Sequence, residues 1–247
     1  MSATRFCLLV VAKAPVPGLA KTRLTPPATP RQAAGIAAAA LLDTLDAVRH
    51  TPGAVPVVAM TGDLDLACHA DELRAALAPM TVIGQRGPDF AHRLANAHAD
   101  AALCCPGLPI LQIGMDTPQV TPDLLSGTVA LLADADVVLG PAEDGGWWAL
   151  GLRDPLHANA LRDVPMSRED TGARTLTALA RRGTDAMIAT TLSDVDTIVE
   201  AIRVAERIPA SRFAAAVAAL TGNAWADSEA RPVGAGGRRG STAWTRA

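Results

Sequence analysis

Along the chain, short apolar runs alternate with longer amphipathic stretches. The runs at Phe6–Ala12, Val55–Met60, Met80–Ile83, Ile110–Gly114, Val137–Gly140, Trp147–Gly151 and Ala186–Thr190 predict β-strands. The stretches between them predict helices over Arg31–Arg49, Leu64–Ala78, Asp89–Cys104, Pro122–Ala133, Asp170–Arg182 and Asp196–Ile208, with a last helix at Ala210–Leu220. Strands that alternate with helices form βαβ units and a mostly parallel sheet. Most of the strands are continuously apolar, as strands covered on both faces are. The expected fold is therefore an α/β three-layer sandwich. Helix starts carry local signals: Thr29-Pro30 and Thr121-Pro122 pair a capping hydroxyl with proline at the first helical position, and Thr197 opens a late helix. After Gly222 the composition shifts to "RPVGAGGRRGSTAWTRA". The chain thus divides into one domain over 1–221 and a tail over 222–247 that is expected to be disordered.

Composition narrows the class. At 247 residues the chain suits one large α/β domain. Its net charge of −3 shows no broad cationic excess, which argues against a nucleic-acid partner held by a basic face. The four cysteines, at 7, 68, 104 and 105, include no CxxC pair, and read as reduced, buried thiols. The first apolar run is too short for a secretory leader and stops at Lys13, and no run reaches 18 apolar residues. No membrane association and a cytoplasmic location are expected.

Ligands of open α/β sheets bind beyond the carboxyl ends of the strands, so the residues that follow each strand are the candidates. After the first comes "KAPVPGLAKTRL", a loop stiffened by Pro15 and Pro17 that delivers Lys21 and Arg23. It is neither a Walker A loop, since Ala20 and Pro15 stand where glycines are needed, nor a GxGxxG motif. It reads either as a solvated surface loop or as a phosphate grip. After the fourth strand comes "GMDTP". There Asp116 either caps a turn or meets a divalent metal bound to nucleotide phosphates, since a lone carboxylate at a buried strand end needs a partner. "PAEDGGWWALGL" places Glu143 and Asp144 before two glycines and a tryptophan pair, as a hairpin turn or an acceptor pocket. "LSDVDT" carries Asp194 and Asp196 two residues apart, hence on one face if extended. One of them could join Asp116 on a metal, or either could cap the next helix. Gln85, Arg86, Asp89 and Arg93 form a polar group near a helix start, where surface charge is the simpler reading.

"AKAPVPGLAKTRL", "IGMDTP", "DGGWWALGL" and "DVDT", in this order, resemble a bacterial family of glycosyltransferase A-fold proteins. Its members are described as rSAM/selenodomain-associated transferase 1 or as glycosyltransferases of arsenosugar-biosynthesis type. The resemblance spans about residues 5 to 206. It implies a nucleotide-diphosphosugar-transferase-like sandwich that uses Mg²⁺ or Mn²⁺, with a nucleotide sugar and a small-molecule acceptor as substrates. It matches Lys13, Lys21 and Arg23 to the nucleotide loop, with Lys21 also aiding catalysis. It matches Asp116 and Asp196 to the metal side, and Asp144 to an acidic residue that orients or deprotonates the acceptor. Here Trp147-Trp148 stands where the family usually has Tyr-Tyr, and "PMSRED" replaces a region that usually contains Trp-Ser-Thr. The guanylyltransferases that activate phospholactate or phosphoenolpyruvate for coenzyme F420 share the first loop and DVDT. They carry a Gly-Thr-Asn-type segment where this chain has Asp144-Gly145-Gly146. Transfer of a nucleotidyl group from an NTP to a small phosphorylated acid is thus the alternative activity. A catalytically silent nucleotide-binding protein on this fold is the third reading.

Overall fold

The computed structural model describes residues 5–229. Among them a seven-stranded sheet has the order β3-β2-β1-β4-β6-β5-β7. The strands are β1 (Phe6–Lys13), β2 (Ala54–Thr61), β3 (Thr81–Gly84), β4 (Ile110–Gly114), β5 (Val137–Pro141), β6 (Trp147–Leu152) and β7 (Ala186–Ile188). All neighbours pair in parallel except β6, which runs antiparallel to both β4 and β5. The β5–β6 hairpin, with a register shift at Gly140/Pro141, inserts this reversed strand beside β4.

The helices are α1 (Pro30–His50), α2 (Ala70–Leu77), α3 (Phe90–Cys104), α4 (Pro122–Ala130), α5 (Thr171–Ala180), α6 (Ile198–Arg207) and α7 (Arg212–Glu229). The threonine starts are real caps. Thr29 and Thr197 close capping boxes with Gln32 and Glu200, and Thr121 accepts from Leu124 N. The helix expected over 64–78 divides into a 3₁₀ turn at Leu64–Leu66 and α2. A 3₁₀ segment at Pro155–Asp163, which had no periodic signal, fills the connection from β6 to α5. Helix α7 runs past the expected start of the tail, through Glu229. The rest of the expected tail lies outside the described residues.

Period two along β1 builds the three layers. Leu8, Val10 and Ala12 face α1, α2 and α4, while Cys7, Leu9 and Val11 face α3 and α5. A third cluster seats Phe213 and Val217 of α7 and Val204 of α6 on Ile36 and Ala40 of α1. The cysteines are free, and Cys7 and Cys105 are buried; Cys104, contrary to expectation, is exposed. Burial and the neighbouring Cys105 push the Cys7 thiol pKa up. His98 of α3 is wholly buried, and neither of its ring nitrogens has a hydrogen-bond partner. Burial lowers its pKa to about 4; the Gln112 side chain on β4 works against that shift without reaching the geometry of a hydrogen bond. No helix among the described residues is long and apolar enough to cross a membrane.

Candidate functional site

The sheet order locates the site. From β1 the chain moves on to β2 and β3, whereas from β4 it moves to the other side, toward β5 and β6. Connections that part in this way leave a crevice at the carboxyl ends of the two central strands. The loop after β1 carries Lys21 and Arg23, and the residue that follows β4 by two positions is Asp116.

Lys21 adopts a left-handed backbone (φ 48°, ψ 42°) just before a 3₁₀ turn at Thr22–Leu24. A non-glycine residue holds that conformation at some cost, and such residues cluster at functional sites. Buried Ala20 and Leu24 pin the loop on either side. The Lys21 side chain is only 8% exposed, and its ammonium meets Asp116 Oδ1 at 3.0 Å and Asp196 Oδ1 at 3.3 Å. It also donates to the carbonyl of Val195. Burial opposes this charge, yet Asp116 and Asp196 hold the Lys21 pKa above its ordinary value. Arg23 Nη1 reaches Asp196 Oδ2 at 2.6 Å. The backbone locks the same elements together, since Val195 N donates to Asp116 O at 3.1 Å.

Five of the six residues that the resemblance matched to the site therefore converge. Lys13, Lys21, Arg23, Asp116 and Asp196 line one recess of ≈ 230 Å³. Lys13 donates through Nζ to Leu19 O at 2.8 Å and so ties down its own loop. Asp116 and Asp196 are ion-pair partners of Lys21, and the cap of α6 is Thr197. Asp144 lies apart from the recess. One of its oxygens accepts from Gly146 N at 2.7 Å and closes the hairpin turn. It lines a larger cleft of ≈ 960 Å³ that shares Lys13, Arg23, Asp116 and Asp196 with the recess.

Asp194 lines this cleft as well. Burial first, then the Asp144 and Asp196 carboxylates, raise its pKa to about 6. Among the described residues no group of three or more His, Cys, Asp or Glu side chains is placed to hold a metal ion. The carboxylates that converge are Asp116 and Asp196, with Lys21 between them. Two hard oxygen donors at the mouth of a cleft fit Mg²⁺ or Mn²⁺ only where water and substrate phosphates complete the shell.

The far end of the cleft was not legible in the sequence. Gly145 has φ +87°, and a Cβ there would lie 1.9 Å from the Glu169 carbonyl oxygen. The "DGG" turn is thus fitted against the segment 165–171, and Gly172 N donates to Gly145 O at 2.9 Å. This contact brings Met166 and Arg168 to the cleft that Phe90, Arg93 and Trp147 also line. Of the other polar residues near β3, Arg86 pairs with Asp100, and Asp89 caps α3 through His92 N. Gln85 donates to the Ala12 and Ala59 carbonyls. Only the cleft position of Arg93 distinguishes it from surface charge, and sequence alone carries no signal for that.

Comparisons with known proteins bear on the fold and the family. Solved structures similar to this one include a candidate nucleotide-diphospho-sugar transferase from Desulfovibrio desulfuricans G20, 25% identical, covering 80% of this chain and 84% of that one at a TM-score of 0.68. A cytidylyltransferase from Leptospira borgpetersenii is 14% identical, covers 90% and 96% of the two chains and has a TM-score of 0.55. 4-Diphosphocytidyl-2C-methyl-D-erythritol synthase from Anaerococcus prevotii is 10% identical, covers 83% and 96% and has a TM-score of 0.54. The latter two share the fold alone. The fold is therefore nucleotide-diphosphosugar-transferase-like. No curated protein matches the sequence. Residues 44–168 match the family described as uncharacterized protein conserved in bacteria (DUF2064), and the chain belongs to that family.

Proposed function

We propose that this member of the family is a metal-dependent transferase that takes its group from an activated nucleotide, in the first place a nucleotide-diphosphosugar. The observation that carries this reading is the buried Lys21 ammonium, set between Asp116 and Asp196 in the crevice between β1 and β4. The likeness at 25% identity to a candidate nucleotide-diphospho-sugar transferase supports it. Lys13, Lys21 and Arg23 supply positive charge on one side of the recess, where a diphosphate would accept charge-assisted hydrogen bonds. Asp116 and Asp196 would hold Mg²⁺ or Mn²⁺ jointly with the phosphates. The ion, when bound, supplies charge neutralisation of the leaving diphosphate. Lys21 orients both carboxylates before the nucleotide arrives, so little reorganisation remains when the charge develops. Asp144, through the oxygen not used in its turn, would position a hydroxyl of the acceptor or take its proton.

A second reading, nucleotidyl transfer from an NTP to a small phosphorylated acid, draws on the three cations of the first loop, which suit a triphosphate equally well. The products separate the two. Sugar transfer releases a nucleoside diphosphate, and nucleotidyl transfer releases pyrophosphate. The deciding experiment measures thermal stabilisation of the full chain by nucleoside diphosphates, triphosphates and nucleotide sugars, with and without Mn²⁺. Product assays then follow on the pair that stabilises most. Absence of stabilisation by every nucleotide tested, with Mn²⁺ present, would leave a scaffold as the function of this fold.

A further inference from the structure

The proposed transferase reading leaves the acceptor unnamed. Four cationic side chains line the large cleft, and they differ in how they are satisfied. Lys13 donates to Leu19 O, and Arg23 pairs with Asp196. Arg93 and Arg168 form no ion pair or side-chain hydrogen bond among the described residues, and Arg93 Nε is buried without an acceptor. Buried donors in folded proteins are nearly always partnered, and Arg93 and Arg168 are the two cations on this cleft whose guanidinium groups no carboxylate among the described residues engages.

Both arginines sit on backbone that cannot drift. Arg93 lies in the first turn of α3, which Asp89 caps. Gly87, at φ +141°, crosses this turn so closely that a Cβ would come within 2.9 Å of His92 Cβ and 3.0 Å of Arg93 N. Arg168 follows Ser167, whose φ of 59° is left-handed without glycine. Thr171 Oγ1 accepts from Arg168 N at 3.0 Å and donates to Pro165 O at 3.0 Å, which closes the loop on the start of α5. Strained backbone held by its surroundings is characteristic of ligand clamps. Glu169 also lines the cleft but forms no ion pair with either arginine among the described residues. Asp89 is engaged with His92.

Large apolar side chains line the cleft as well. Phe90, which is exposed, Met166 and Trp147 are among them, and the Trp147 indole N–H is already donated to Thr175 Oγ1 at 3.2 Å. Guanidinium groups present parallel donors that match the two oxygens of a carboxylate or phosphate. We propose that the Arg93–Arg168 end of the cleft binds the acceptor through a carboxylate or phosphate group, with the acceptor's apolar body against Phe90, Met166 and Trp147. This assignment rests on the transferase reading for the word acceptor, but the anion site itself does not.

The test titrates phenyl phosphate, phenylacetate and neutral benzyl alcohol into the full chain by calorimetry. UDP, CDP and GDP with Mn²⁺ are titrated in parallel. The expected result is binding of one or both anions and not of the alcohol, weakened about tenfold or more in Arg93→Gln and in Arg168→Gln. Nucleotide binding should persist in both variants. The stronger anion tells whether the natural group is a phosphate or a carboxylate. Arg93→Lys, which keeps the charge but loses the fork, should lie between, and it serves as the informative variant if Arg93→Gln loses its thermal transition. The proposal is overturned if the wild type binds neither anion, or no better than the alcohol. It is also overturned if Arg93→Gln and Arg168→Gln bind the anions like the wild type, or if only Lys21→Ala abolishes binding, which would place the anion on the first loop. Failure of every nucleotide to bind would instead remove the transferase reading, while the anion titrations still judge the arginine end.

Discussion

The two ends of the cleft handle buried charge in opposite ways. At the Lys21 end the cation is buried but compensated, by two carboxylates and a carbonyl. At the Arg93 end the guanidinium is partly buried and has no acceptor, and α3, which carries it, also buries His98 without a partner. A closed network is rigid and stable before a ligand arrives. An open one is poised to take its missing partner from outside. Pre-organisation and recognition are thus divided along a single crevice.

The largest expected effect probes the uncompensated side. His98 has a folded pKa of about 4 against 6.5 ordinarily. Between these values the unfolded chain binds a proton that the native chain refuses, so stability falls as the pH falls through this window. The loss should approach about 3 kcal/mol. Urea unfolding across the window measures it, and His98→Leu should flatten the slope. A wild-type profile already flat there would mean that the buried imidazole is compensated after all.

Joining the ends depends on Gly145. Gly145→Ala must displace the Glu169 carbonyl and adopt a positive φ, which should cost about 2–3 kcal/mol. The change should detach the 165–171 segment and weaken acceptor binding more than nucleotide binding. Equal stability by denaturant unfolding would show that the two loops are not interlocked.

Opening the compensated end should cost somewhat less. Lys21→Ala leaves Asp116 and Asp196 facing each other, and because both carboxylates are partly exposed, water recovers some of the loss. About 2 kcal/mol of stability is expected to go, together with nucleotide affinity. Should Lys21→Ala unfold at the wild-type midpoint and bind nucleotides as before, the network is decoration on a solvated loop.

Asp116→Asn sharpens the comparison without breaking it. Asparagine keeps the shape and a hydrogen-bonding oxygen but removes the charge. Mn²⁺-dependent nucleotide binding should weaken about tenfold, or roughly 1.4 kcal/mol, with Asp196→Asn giving a smaller loss. Calorimetry in the presence and absence of Mn²⁺ separates a metal effect from a general one. An equal change in both conditions would count against a metal role for Asp116.

The smallest effect is a control for both ends. Thr29→Ala removes the capping hydroxyl of α1, and about 1 kcal/mol of stability should go with it. Ligand affinities should not move, since the cap touches neither wall of the cleft. A shift in nucleotide affinity here would mean that global loosening accounts for part of the Lys21 effect.

Local chemistry was enough to determine much of this protein. Apolar runs specified all seven strands to within two residues, and for the central ones the reason is that a strand covered on both faces leaves few positions for polar residues. The threonine caps were legible because a cap acts within three residues. The Lys21 loop and Asp116 were legible because each directly follows a strand whose carboxyl end must face the crevice. Only the tertiary structure could decide the rest. The reversal of β6, the pairing of Lys21 with Asp196 across 175 positions, and the placing of Arg93 and Arg168 on one cleft all depend on long-range closure. A side chain near a helix start carries no local mark of whether it faces water or a cleft. Arg86 and Arg93 share one loop-helix junction, yet one is held by Asp100 and the other waits for a partner. What separates them is tertiary placement: Asp100 lies within reach of Arg86, while Arg93 lines the cleft that the chain closes far along its length.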